Sequence, residues 1–271
     1  MESLRYSIFD PTGNITALVE SVIEVERQPA VAAELMERHA EIEQVGFVRY
    51  LPESDVQLSL RMAGGEFCGN ASMCAAALYL LRRGNQSEAG VTLRVSGARR
   101  PLEARLRRET AERFSAGLRM PGALAIEERT LMDGALTAAL PLVRMEGIAH
   151  LIVEPGSAFF ALLDQPERAE QAVRRWAREL KVEALGLMFL EKEGMDERLT
   201  PLVFVPVSDT LFWENSCASG SAAVGMYLAG KTGAIVAMTL REPGGSLRVE
   251  SNGKTGETWL YGKTRLMGSF H

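Results

Sequence analysis

Glu66-Phe67-Cys68-Gly69-Asn70-Ala71-Ser72 leads directly into a small and apolar run, Met73 to Leu81. About half a chain later, Asn215-Ser216-Cys217-Ala218-Ser219-Gly220-Ser221 leads into a similar run, Ala222 to Leu228. In each case a cysteine follows a strand and stands among small polar residues where an Ala-rich helix begins. Ser and Asn suit a helix start and Ala suits its interior. One such segment in each half reads as a two-fold internal repeat carrying one cysteine per copy.

The flanks repeat the layout. Residues 5–23 predict two short strands parted by the turn Asp10-Pro11-Thr12-Gly13-Asn14. An amphipathic helix follows from about Pro29, with Val31, Leu35, Met36, His39 and Ile42 at helical spacing. Strands are expected over 45–50, 56–62, 91–96 and 102–106. In the second half a strand over 148–153 precedes a helix starting near Asp164-Gln165-Pro166, whose apolar face is Ala169, Ala172, Val173, Trp176 and Leu180. Strands at 185–190, 202–207, 240–242, 247–250 and 258–261 complete the pattern, with a Pro-Gly-Gly turn at 243–245.

The chain has 271 residues, 46% hydrophobic and 24% charged, which suits one large globular domain or two modest ones. Disordered, collagen-like and disulfide-stapled chains are excluded, the last because three scattered cysteines make no framework. A net charge of −5 argues against nucleic acid as a partner. The longest apolar runs reach about eight residues where a membrane helix needs about 20. Met1-Glu2-Ser3-Leu4-Arg5-Tyr6 shows no secretory pattern, so the expected setting is the cytoplasm.

Two cysteines at helix starts suggest a chemistry. A helix N-terminus has unpaired N–H groups and partial positive charge, so it binds carboxylates and favours thiolates. If the halves pack face to face, a carboxylate-bearing substrate would present its α-carbon between two sulfurs. One thiolate would remove the α-proton and the opposite thiol would protonate the other face. The helix-start amides would stabilise the carbanion's carboxylate. Such an inversion requires no metal, pyridoxal or other cofactor. The ordinary reading of a free cysteine is a small buried hydrophobe, and Cys74, within an Ala-rich helix, is assigned to it.

At these residues the sequence resembles the diaminopimelate epimerase superfamily. Glu66 to Ala71 is similar to its first catalytic motif and Glu214 to Gly220 to its second. Pro11-Thr12-Gly13-Asn14, Glu43-Gln44-Val45-Gly46-Phe47 and Glu242-Pro243-Gly244-Gly245-Ser246 extend the likeness over most of the chain. The resemblance implies an α/β (α+β) fold of two pseudo-symmetric domains, each a β-barrel-like sheet around a central helix. The implied domains are 1–125 with about 262–271, carrying Cys68, and 126–261, carrying Cys217.

Within that superfamily the match is not to diaminopimelate epimerase itself. Its polar clamps for a distal amino-carboxylate correspond here to Ile148, Gly186, Met62 and Ser208-Asp209. The chain is more similar to histidine racemases that supply staphylopine-type metallophores, through Trp213-Glu214-Asn215-Ser216-Cys217 and the two motifs above. Ala218 departs from the Gly common after the second cysteine; its methyl narrows the approach of a carboxylate but keeps the N–H donor. The resemblance makes Cys68 and Cys217 the acid/base pair, with Asn14, Gln44, Gly69, Asn70, Glu214, Ala218 and Ser219 as substrate contacts. The implied partner is a small amino acid, and a homodimer stays open. The alternatives are a racemase or epimerase of another amino acid, or a silent amino-acid-binding homologue. His39 is expected to pack, His150 either to pack or to line the cleft, and the arginines at 94, 99, 100, 105, 107 and 108 to form a solvated face.

Overall fold

The structure, a computed structural model, describes residues 4–51, 55–193, 196–207 and 209–270. Its first elements are β1 (Tyr6–Asp10), β2 (Thr16–Val19), α1 (Gln28–Arg38), β3 (Gln44–Tyr50) and β4 (Leu58–Met62). Next come α2 (Gly69–Arg82), β5 (Glu88–Val95), β6 (Leu102–Arg108), β7 (Arg113–Arg119), β8 (Ala125–Asp133), β9 (Leu136–Arg144) and β10 (Ala149–Val153). Then follow α3 (Pro166–Leu180), β11 (Leu185–Glu193), β12 (Asp196–Val205), β13 (Thr210–Trp213) and α4 (Ala218–Thr232). The chain ends with β14 (Ile235–Glu242), β15 (Gly245–Asn252) and β16 (Thr258–Phe270). The chain divides into two compact units, Met1–Met120 with Trp259–His271, and Pro121–Thr258.

In the first unit β1 to β7 lie side by side, β16 pairs with β7, and β16 also pairs with β1, which closes an eight-stranded barrel. The β2–β3 and β4–β5 pairs are parallel and their connections contain α1 and α2, as parallel neighbours require a crossover. Helix α2 contacts every strand from β1 to β7, so it runs through the barrel. Its composition explains the position. Ala71, Ala75, Ala76 and Ala77 are small enough to sit among the strands, and no charge occurs before Arg82. Alternate strand residues Tyr6, Ile8, Ala17, Val19, Val45 and Phe47 face the other way, toward Ala32 and Leu35 of α1. The predicted face of α1 is corrected here. Buried positions are Gln28, Ala32 and Leu35, Met36 is exposed, and the helix stops at Arg38 before His39 and Ile42. His39 packs as expected, its Nε2 2.8 Å from the Tyr6 hydroxyl and its ring against Phe270.

In the second unit the described strands run β8-β9-β10-β11-β12-β14-β15, with β13 beside β12. The β10–β11 and β12–β14 pairs are parallel, bridged by α3 and by the segment containing α4. Helix α3 has the predicted period: Ala169, Ala172, Val173 and Trp176 are buried against Leu151, Val153, Leu185, Leu187 and Phe189. Trp176 lies 4.9 Å from the Phe159 ring, and its indole N–H donates to the Met132 carbonyl at 2.9 Å. Helix α4 packs on β9, β10, β11, β14 and β15, and ends at Gly233, whose φ of 66° provides the left-handed stop. Strands β7, β8, β9 and β13 are additions to the sequence reading. The expected arginine face also changes, since Arg108 Nη2 donates to the Leu80 carbonyl in the last turn of α2 and Arg105 covers the Trp259 ring at 4.1 Å. His271 and Ser208 lie outside the described residues.

Candidate active site

In the first unit Cys68 is the N-cap residue of α2, with extended backbone, and its Sγ accepts the Ala71 N–H at 3.3 Å. The thiol donates to Gln44 Oε1 at 3.2 Å. Gln44 opens β3 directly beside Thr16 of β2, and the Thr16 hydroxyl reaches both Gln44 Oε1 (3.4 Å) and the Asn14 carbonyl (2.9 Å). The β1–β2 turn, the start of β3 and the start of α2 thereby bring Asn14, Gln44 and Cys68 into one hydrogen-bonded chain. Thr16 is the link that sequence reading missed. Gly69 and Asn70 form the first turn of α2 and are buried. Ser72 donates to the Cys68 carbonyl at 2.7 Å, tying the cap to the helix.

The loop before Cys68 is held from behind. The Met62 N–H donates to Ser96 Oγ at 3.0 Å, and that hydroxyl donates to the Glu66 carbonyl at 2.7 Å. Gly97, with φ +74°, lies so close that a Cβ would stand 2.3 Å from the Phe67 nitrogen. Cys74, two turns into α2, is fully buried beside Thr264, and burial pushes its thiol pKa up. It is a packing residue.

In the second unit Cys217 is the N-cap residue of α4, and it is 5% exposed. Its sulfur makes no cap bond and lies 3.6 Å from Ser219 Oγ. Burial drives its thiol pKa well up, and the carboxylates of Glu214 and Glu242 push in the same direction. Ala218 is buried and Ser219 partly exposed in the first turn. Glu242, at the end of β14, is the functional candidate that sequence reading left out. Its Oε2 accepts the Cys217 N–H at 2.5 Å and its Oε1 accepts the Ser221 hydroxyl. Burial raises its pKa to about 8. Only its place in the stretch Glu242 to Ser246 hinted at it.

His150 lies on β10 directly beside Gly186 of β11, on the face opposite Leu151 and Val153. A Cβ on Gly186 would meet His150 Nδ1 at 2.4 Å, and one on Gly220 would meet Met188 Sδ at 2.1 Å and Cys217 Sγ at 3.2 Å. The imidazole and the thioether thus fill the spaces two glycines leave, in a row that ends at the Cys217 sulfur. His150 is fully buried with both ring nitrogens unpartnered. Burial lowers its pKa to about 3, so it is neutral at pH 7. Its folded pKa lies below the ordinary 6.5, so the unfolded chain binds the extra proton and stability is lost as pH falls from about 6.5 toward 3. By pH 4.5 the loss is about 3 kcal/mol. Glu242, whose pKa is raised, acts in the opposite sense above about pH 4.5, so in urea unfolding the native chain and His150→Phe should differ in pH slope by the His150 contribution. Equal slopes would refute the assignment.

Ile148, Gly186 and Met62 offer no hydrogen-bonding side chain, and Asp209 is an exposed partner of Arg174 on α3. Among the described residues no three His, Cys, Asp or Glu side chains are grouped to hold a metal ion, and no helix is long and apolar enough to cross a membrane.

Residues 3–262 match the family model described as the histidine racemase CntK N-terminal domain. A histidine racemase of Fusobacterium nucleatum subsp. nucleatum (strain ATCC 23726) is 31% identical over 236 residues, covering 84% of this chain and 82% of that protein. A histidine racemase of Staphylococcus aureus (strain Mu50) is 27% identical over 252 residues, covering 92% and 88%. Among solved structures, a hydroxyproline epimerase from Agrobacterium vitis superposes with a TM-score of 0.70 at 12% identity, over 98% of this chain and 91% of that one. A phenazine biosynthesis protein of the PhzF family from Bacillus anthracis gives 0.67 at 15% identity, over 100% and 99%. These two show the shared fold. The family model and the racemase relatives, spanning both helix-start cysteines, show that the chain belongs to the histidine racemase family of isomerases.

Proposed function

We propose that this chain interconverts L- and D-histidine by a two-base mechanism in which Cys68 and Cys217 serve opposite faces of the α-carbon. The observation that carries the reading is that, in a chain of this family, each cysteine is the N-cap residue of a buried helix in its own unit. The halves of the internal repeat, 1–125 with about 262–271 and 126–261, then correspond to these two units to within about five residues. The amides of Gly69, Asn70, Ala218 and Ser219 are assigned to the α-carboxylate, since helix-start N–H groups stabilise the charge that grows there. Asn14 and Gln44 are assigned to substrate contact beside Cys68, and Glu214, beside the Cys217 thiol, to the substrate's amine or imidazole. The thiols perform both proton transfers, so the reaction needs no pyridoxal group or metal. We assign the enzyme to the cytoplasm and to a pathway that consumes D-histidine, such as metallophore synthesis.

The test is a panel of L-amino acids and diaminopimelate in D2O, scored for α-deuterium and for the opposite enantiomer. Histidine should invert with solvent deuterium in the product. Diaminopimelate should fall at least about 100-fold lower in kcat/KM, because a second zwitterion would be buried against Ile148, Gly186 and Met62 without partners. Comparable turnover of diaminopimelate would refute the substrate assignment.

A further inference from the structure

The starts of α2 and α4 differ in one respect that bears on the division of labour between the thiols. At α2 the Cys68 sulfur itself receives a helix-start N–H, that of Ala71, at 3.3 Å. At α4 the Cys217 sulfur makes no cap bond, and the Cys217 N–H is held by the side chain of Glu242. The serines one turn on show the same contrast. Ser72 donates to the Cys68 carbonyl at 2.7 Å, whereas Ser221, at the equivalent place after Cys217, donates to Glu242 Oε1. A carboxyl group at the end of β14 is thus buried against the start of α4.

We propose that Glu242 is a positioning residue that keeps Cys217 as the thiol, so that Cys217 begins the cycle as the acid and Cys68, once it has given up the proton it shares with Gln44, as the base. This rests on the two-cysteine reading. The Cys68 thiolate takes the α-proton, the Cys217 thiol gives its proton to the opposite face, and the enzyme ends with Cys68 as thiol and Cys217 as thiolate. Protons exchanged with solvent restore the starting form. The ionisable groups acting on the Cys217 sulfur are Glu214 and Glu242, and both oppose its ionisation. Glu242 loses its proton near pH 8, and its charge then opposes a second negative charge on the sulfur whose N–H it holds. The groups committed to the carboxyl are the Cys217 N–H and the Ser221 hydroxyl, both at the start of α4.

The test is the pH dependence of iodoacetamide alkylation of the native full-length chain, read separately at Cys68 and Cys217 by peptide mass spectrometry. In the native chain Cys217 should alkylate with a midpoint above the ~8.5 of a free cysteine, and above that of Cys68. Glu242→Gln should lower the Cys217 midpoint by at least about one pH unit, leaving that of Cys68 in place, and Glu242→Asp should restore the high value. A purely structural acid would change the melting temperature of Glu242→Gln and leave the Cys217 midpoint where it was, which would overturn the proposal. A Cys217 midpoint at or below 8.5 in the native chain would overturn it without any variant. Alkylation needs no turnover, so this outcome is read independently of whether Cys217→Ala still racemises.

Discussion

Cys68→Ala and Cys217→Ala should each lower histidine racemisation by at least about 1,000-fold, because on the proposed two-base mechanism each removes one of the two proton-transfer groups. Inversion needs a base on one face and an acid on the other, and either variant leaves a carbanion that no residue protonates from the far side. The remaining thiol can still take and return a proton on its own face. Each variant should therefore exchange the α-proton of one enantiomer slowly in D2O, without inversion, and the enantiomer should switch between the two variants. In the unsubstituted enzyme, product should carry deuterium while early unreacted substrate stays largely protiated. Cys74→Ala is the control. Cys74 is buried in α2 against Thr264, so its loss should cost some stability and leave kcat/KM within about threefold. Full activity in either Cys68→Ala or Cys217→Ala would sink the two-base mechanism.

What could be read from the sequence was local or repeated. The helix-start cysteines were legible because small polar residues before an Ala-rich run mark a cap and a buried helix within a dozen positions, and because the pattern occurs twice. Helix α3 was legible because Trp176 and its neighbours keep a 3.6-residue period over four turns. The β8–β9 hairpin was not, because most of β8 is exposed, with only Leu131 and Asp133 buried, so the two-residue alternation is lost. The predicted face of α1 ran on to His39 and Ile42 because both are buried or packed, yet they pack from beyond the helix end. The parts of the candidate site that went unread are joined by pairing distant in sequence. Thr16 meets Gln44 through the β2–β3 ladder, and Glu242 meets Cys217 across 25 positions of chain. No spacing rule connects such residues. The unpartnered nitrogens of His150 are equally invisible, since they follow from what Gly186 lacks on the neighbouring strand.

Gly97→Ala should be the most damaging single-atom addition near Cys68, lowering stability by about 3 kcal/mol or more and kcat/KM by about 100-fold. Two independent penalties act at this position. The backbone has φ +74°, a conformation that costs an L-residue on the order of 1–2 kcal/mol. The added methyl would also stand 2.3 Å from the Phe67 nitrogen and 2.8 Å from the Glu66 carbonyl carbon, both backbone atoms that no rotamer change can clear. The 66–67 segment must then move away, and it is tethered to the same turn through the Ser96 hydroxyl on the Glu66 carbonyl. Cys68 follows directly. A shift of about 1 Å in a proton-transfer group is enough to cost two orders of magnitude in rate. Gly84→Ala provides the comparison. Its φ of +71° carries the same conformational penalty, but a Cβ there meets nothing within 4 Å and the position follows the end of α2, far along the helix from Cys68. It should cost about 1 kcal/mol and leave kcat/KM unchanged. Urea denaturation and histidine kinetics on the two variants separate the penalties. Equal losses of activity in both would show that Gly97 acts only through global stability, and an active, stable Gly97→Ala would refute the tethered-loop account of how Cys68 is placed.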